Sequence, residues 1–205
     1  MKLIFLSYPE FFAGESNILC SLMDKYEFIF HLRKPGASNR DYDVFMQSIP
    51  KKFHNRIVLH DAYNLQQKYQ VKGLHFSTMN RSIAENIRIR GTKSTSCHSV
   101  AEARTQDGIF DYLFLSPVFK SISKPGYTGN LNISEVKAWL SEQRKTQIIA
   151  LSGIDETKIQ ELKNYMFDGV AVLGAVWTNN PEGNSVIIED NLNKIYKCMN
   201  SDHIA

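Results

Sequence analysis

Apolar residues fall in short, evenly spaced runs rich in β-branched and aromatic side chains. The clearest are 2–7 (KLIFLS), 27–33 (EFIFHLR), 56–61 (RIVLHD), 73–77 (GLHFS), 112–117 (YLFLSP), 147–153 (QIIALSG) and 169–175 (GVAVLGA), and a weaker one covers 87–96 (IRIRGTKSTS). Several are apolar on both alternating faces, the pattern of a strand buried on both sides of a parallel sheet. Between them the period changes. Segments 16–26 (SNILCSLMDKY) and 156–166 (ETKIQELKNYM) space their apolar residues at three and four, which predicts helices. Ser82 with Glu85 and Ser99 with Glu102 match Ser-x-x-Glu capping boxes, and Asp155 and Ser134 are expected N-caps.

Strand and helix therefore alternate from end to end, with no linker, low-complexity tract or composition shift dividing residues 1–205. This order allows a doubly wound open sheet or a closed (β/α)8 barrel. No GxGxxG follows the first strand, where a dinucleotide fold would carry it. Eight runs in 205 residues leave about 26 per unit. The expectation is an α/β chain forming one compact, single-domain (β/α)8 TIM barrel.

Composition adds exclusions. With 43% hydrophobic, 11% aromatic and 22% charged residues, the chain can build a substantial core, so a disordered tail or a disulfide-stapled miniprotein is excluded. Lys and Arg number 24 against 21 acids, a net charge of +3, and form no dense basic stripe. Lys51, Lys52 and Arg56 read as a solvated face, so no nucleic-acid partner is expected. Cys20, Cys97 and Cys198 are odd in number and far apart, as in a reducing compartment. The start MKLIFLSYPE is too short for a signal core, and no apolar run has the length of a membrane span. A cytoplasmic protein without a membrane partner is expected, and self-association into a homo-oligomer stays open.

In a barrel, chemistry gathers at the carboxyl ends of the strands. Here those ends read His31-Leu32-Arg33-Lys34, His60-Asp61, His75-Phe76-Ser77, Ser96-Cys97-His98, Ser116-Pro117, Ser152-Gly153 and Leu173-Gly174-Ala175. If alternation puts Arg33 and Asp61 inside, then His31, His75, Ser77, Ser96 and His98 follow, while His60 faces the helices. A carboxylate can help hold Mg²⁺, and a guanidinium can clamp phosphate oxygens; the plain alternative is an ion pair. Gly153 and Gly174, at two adjacent strand ends, let backbone N–H groups approach an anion. That pair of loops is the recurrent phosphate site of such barrels. The stretch 119–129 (FKSISKPGYTG) is cationic and hydroxyl-rich and suits a lid over a polyanion; a solvated loop is the alternative. A rival reading gathers His31, Asp61, His75 and His98 into a transition-metal site of a hydrolase, although no HxH pair ends the first strand.

Together these segments resemble the thiamin phosphate synthase and TenI family of (β/α)8 barrels over nearly the whole chain. HLRKPG (31–36) resembles that family's QLRxK segment, IVLHDAYNL (57–65) its IINDxxDL and GLHFS (73–77) its GVHLG. STSCHSVAEA (94–103) is similar to GxSxHxxxEA, DYLFLSPVFKSISK (111–124) to DYxxxGPxxxTxTK and SGI (152–154) to GGI, and GVAVLGAV (169–176) resembles the strand-8 segment. The resemblance implies thiamin biosynthesis: coupling of an aminopyrimidine methyl diphosphate to a thiazole phosphate with Mg²⁺, releasing pyrophosphate. Small phosphate and diphosphate molecules are the implied partners. By position, Arg33 and Lys124 are the expected catalytic diphosphate ligands, with Asp61 on Mg²⁺. Ser96, Ser121 and Ser123 would donate to phosphates, and Gly153 and Gly174 would hold the thiazole phosphate. His31 and His60 stand where the family's substrate-side Gln and Asn would be. Three further departures are visible: Pro35 replaces a lysine, Asn80 replaces a second metal carboxylate, and Ser116-Pro117-Val118-Phe119 lacks the TenI tautomerase histidine. The family's alternatives are a TenI-like thiazole phosphate isomerase and a non-catalytic regulator that binds a phosphate ligand.

Overall fold

The computed structural model describes residues 1–120 and 131–201, so Ser121, Ser123 and Lys124 lie outside the described residues. Its strands are β1 (Lys2–Leu6), β2 (Ile29–Leu32), β3 (Ile57–Leu59), β4 (Gly73–Phe76), β5 (Thr92–Cys97), β6 (Tyr112–Leu115), β7 (Gln147–Leu151) and β8 (Gly169–Val172). They pair in parallel in sequence order, and β8 closes on β1. The helices are α1 (Glu15–Lys25), α2 (Asn39–Gln47), α3 (Gln66–Tyr69), α4 (Arg81–Asn86), α5 (Val100–Thr105), α6 (Ile133–Leu140), α7 (Ile159–Asn164) and α8 (Ser185–Asn200). The expected (β/α)8 barrel is the observed fold. No helix among the described residues is long and apolar enough to cross a membrane.

Alternation along the strands makes two apolar layers. Phe5, Phe30, Leu32, Leu59, Leu74, Phe76 and Leu113 join the core that includes the buried faces of α1, α2 and α8. Ile4, Leu6, Tyr112, Phe114, Ile149 and Ala171 form a second, smaller cluster. Fully burying each large apolar side chain stabilises the fold by about 1.5–3 kcal/mol. Within the same strands, however, His31 and His75 are also buried, at 0% and 3% exposure. The barrel interior is thus partly polar.

Several sequence expectations shift. The weak run 87–96 becomes a strand only from Thr92, whose N–H donates to Lys72 C=O. Gly91 before it has φ +109, and a Cβ there would sit 2.2 Å from the Lys72 oxygen, so the residues before Thr92 turn instead of pairing. Ser99 caps α5 through the Glu102 N–H as expected. Ser82 instead lies inside α4, which begins at Arg81. Asn132, not Ser134, caps α6, accepting from the N–H groups of Ser134 and Glu135. Asp155 precedes α7 by a turn and accepts from the N–H and hydroxyl of Thr157.

Candidate active site at the barrel mouth

The carboxyl ends of the strands surround a cavity of about 330 Å³. Its polar lining includes Arg33, His60, His75, Ser77, Ser96, His98, Ser116, Ser152 and Gly153, and an apolar wall comes from Leu6, Phe114, Leu151, Ala171 and Leu173. Gly174 and Ala175 complete the edge after β8.

Arg33 follows β2 with the parity of His31. Its backbone is fixed by Ser7, whose hydroxyl donates to Arg33 C=O at 2.8 Å and accepts from its N–H at 2.9 Å. The guanidinium stays exposed on the cavity wall. Lys34 points the opposite way. Its ammonium is buried 2.6 Å from both carboxylate oxygens of Glu15, and 2.9 Å from Glu10 C=O. Burial raises the Glu15 carboxyl to about 7 and lowers the Lys34 ammonium from its ordinary value.

His60 does not face the helices, which corrects the expectation from alternation. The regular strand ends at Leu59; His31 is in register with Val58, and His60 N–H continues the ladder to Leu32 C=O. His60 thus shares the inward face of Val58, two residues earlier. Asp61 is past the strand, exposed, and accepts from the Tyr42 hydroxyl at 3.2 Å.

Three imidazoles meet inside the barrel. His31 Nδ1 is 2.9 Å from His60 Nε2, and His31 Nε2 is 2.7 Å from the Tyr112 hydroxyl, on β6 across the barrel. His75 contacts the hydroxyls of Ser94 and Ser96 at 2.9 and 3.0 Å. Its ring stacks on His60 with centroids 4.1 Å apart, and on Phe114 at 5.0 Å. Burial is the main reason all three resist protonation: His31 and His60 are held well below the ordinary range, and His75 near 3. The neighbouring imidazoles add to the shift at His31 and His60, and the Arg33 charge adds to it at His60 and His75. Burial likewise pushes up the Tyr112 hydroxyl, which stays a phenol.

At the far edge the chain turns tightly. Ser152 and Gly153 have φ of +86 and +67, and a Cβ on Gly153 would lie 2.3 Å from Lys120 C=O. Phe119 N–H donates to Ser152 C=O and Val118 N–H to Leu151 C=O, tying the segment after β6 to the end of β7. After β8, the N–H groups of Val176 and Trp177 both return to Leu173 C=O, and Trp177 Nε1–H reaches Leu6 C=O at 2.7 Å.

The fold thus gathers Arg33, His60, Ser96, Gly153 and Gly174 on one cavity. His31 lies beneath His60, while Asp61 stands beside that residue in sequence and is not among the lining side chains. The apolar wall of Leu6, Phe114 and Ala171 was not anticipated from the sequence. Period-two counting back from the strand ends carries that signal, since Phe114 lies two residues before Ser116.

A family model described as thiamine monophosphate synthase matches residues 22–176. Thiamine-phosphate synthase from Listeria innocua is 28% identical over 173 residues, spanning 77% of this chain and 79% of that one. The crystal structure of thiamine phosphate pyrophosphorylase from Bacteroides thetaiotaomicron superposes with a TM-score of 0.83 at 29% identity, covering 99% and 100% of the two chains. Thiamine phosphate pyrophosphorylase from Pyrococcus furiosus, 18% identical over 98% and 97% of the chains, shares the fold with a TM-score of 0.69. The family match covers most of the barrel, including the strand ends that build the cavity from Arg33 to Gly174, and the chain belongs to the thiamine monophosphate synthase and TenI family.

Proposed function

We propose that this chain is a thiamin phosphate synthase-type transferase, coupling aminopyrimidine methyl diphosphate with thiazole phosphate and releasing pyrophosphate. The observation that carries this reading is the cavity itself: the Arg33 cation and the glycine turns at Gly153 and Gly174 share it with an apolar wall. Such a site suits two heterocycles lying on the wall, each with its phosphate at a polar edge.

Arg33 takes diphosphate oxygens and stabilises the charge that builds there as the carbon–oxygen bond breaks. Lys124, Ser121 and Ser123 would join it by family resemblance. The Ser96 hydroxyl, held by His75, is a further donor. Backbone N–H groups at Gly153 and Gly174 hold the thiazole phosphate, and His60 borders the substrates with His31 fixing its ring. The donor set at the rim is compatible with Mg²⁺: Asp61 offers an exposed carboxylate with one oxygen engaged by Tyr42, and a diphosphate brings oxygens of its own. When bound, Mg²⁺ would neutralise charge on the departing diphosphate. Free Cys20, Cys97 and Cys198 support a reducing, cytoplasmic setting.

Asn80 in place of a second carboxylate favours a second reading, a TenI-like isomerase or a regulator that binds thiazole phosphate without Mg²⁺. One experiment separates the two. The full chain is incubated with both substrates and Mg²⁺ beside an Asp61→Ala control, and thiamin phosphate is followed by chromatography. Product lost in the control supports the synthase; thiazole phosphate binding without product supports the second reading.

A further inference from the structure

The strands β2 and β4 and the residue after β3 bring His31, His60 and His75 together at the floor of the cavity, where the proposed coupling reaction uses them only to border the substrates and hold Ser96. One ring nitrogen from each lies within 4.8 Å of the others. We propose that these three histidines form a binding site for a borderline divalent transition metal such as Zn²⁺ or Co²⁺, with its remaining coordination position open to the cavity. The site goes beyond the proposed coupling reaction and is distinct from the oxygen donor Asp61.

The donor chemistry points to this class of ion. Three imidazoles suit Zn²⁺, Co²⁺ and Ni²⁺, whereas Mg²⁺ prefers oxygen. The proton shared between His31 Nδ1 and His60 Nε2, 2.9 Å apart, has to shift to the far nitrogen of one ring before both lone pairs face an ion. Outer partners already stand in place. The Tyr112 hydroxyl meets His31 Nε2 while Nδ1 faces His60, and Ser94 meets His75 Nδ1. A hydrogen-bonded second nitrogen is what orients metal-bound histidines.

The geometry also states what has to move. Tetrahedral zinc, with bonds of about 2.0–2.1 Å, sets its nitrogen ligands about 3.3 Å apart. His31 Nδ1 and His60 Nε2, now 2.9 Å apart, need only a small opening. The His75 ring has to leave its stack on His60 and exchange its Ser96 contact for the ion. Among the described residues no carboxylate belongs to the cluster, so the bound ion keeps its charge. Arg33 faces the same cavity, and both cations favour an anionic oxygen, hydroxide or phosphate, at the open position.

The test uses the full chain, freed of metal with a chelator and then titrated with Co²⁺ and with Zn²⁺. The expected result is one Co²⁺ per chain with visible bands of low-symmetry coordination, displaced by Zn²⁺. In His31→Gln and His75→Ala, affinity should fall by about 100-fold, with circular dichroism confirming that both variants fold. A His98→Ala control should bind like the parent. Failure of the parent chain to bind a stoichiometric ion overturns the proposal, as does undiminished binding by both folded floor variants. Pyrophosphate binding by the metal-free chain is measured in parallel and reports separately on the coupling-enzyme reading.

Discussion

Lys34 Nζ lies 2.6 Å from both carboxylate oxygens of Glu15, and both side chains are 1% exposed. This pair ties the end of β2 to the start of α1 behind the barrel wall. It also explains why Lys34 cannot stand in for the family lysine replaced by Pro35: its charge is already committed on the far side of the strand.

Removing one partner of such a pair strands the other charge. Lys34→Met at pH 8 is expected to cost about 3–5 kcal/mol, read as a lower urea midpoint. The double variant Glu15→Gln with Lys34→Met should recover most of that loss. Equal midpoints for the single and double variants would show that unpaired Glu15 carries no penalty.

The same carboxyl gives a pH signature. Its value rises from 4.5 to about 7 in the folded chain, which therefore holds an extra proton between those limits. The contribution of Glu15 to stability is full below 4.5 and falls as pH climbs through 7. Unfolding free energies of parent and Glu15→Gln, measured across that window, should diverge with this sign.

His75 works in the opposite direction. Its value falls from 6.5 to about 3 on folding, so its contribution is present above 6.5 and is lost as pH drops. For this one group the loss by pH 5 is about 2 kcal/mol. In chelator-treated protein, His75→Gln should flatten the fall of the thermal midpoint between pH 7 and 5.

Gly153→Ala should be costly because φ is +67 and the new Cβ would meet the Lys120 carbonyl oxygen at 2.3 Å. The expected loss is about 2 kcal/mol or more, together with weaker thiazole phosphate binding. Calorimetric titration beside thermal unfolding separates the two effects. Unchanged phosphate binding would remove this turn from the anion site.

Arg33→Ala leaves an exposed position and should barely move the thermal midpoint. If Arg33 stabilises the departing diphosphate, turnover in the coupling assay should fall about 100-fold. Parent-level turnover would remove it from the chemistry.

The barrel was legible in the sequence because seven of the eight strands are short apolar runs, β5 (Thr92–Cys97) being the polar exception, and the gaps carry helical periodicity. The mouth was legible in part. Arg33, Ser96, Gly153 and Gly174 line the cavity and stand at strand ends, where counting is reliable. His60 escaped because alternation was anchored on Asp61, a residue past the end of β3 that no ladder orients. Thr92 escaped for a related reason: Ile87 and Ile89 mimic a strand, and only the approach of Gly91 to Lys72 shows where pairing starts. Contacts across the barrel, such as His31 with Tyr112, have no local signature at all.

The hydrogen-bonded floor has a consequence for how this sequence can change over generations. His31, His60 and Tyr112 are joined in one chain of contacts, as His75 is to Ser94 and Ser96, so five strands or their ends share the arrangement. An apolar layer tolerates exchanges of similar volume, but a replacement here leaves a buried partner without its bond. Drift toward an aliphatic interior therefore passes through poorly folded intermediates unless several positions change together. Lineages that carry this floor are expected to keep or lose these residues as a block, while the residues on the rim vary one at a time.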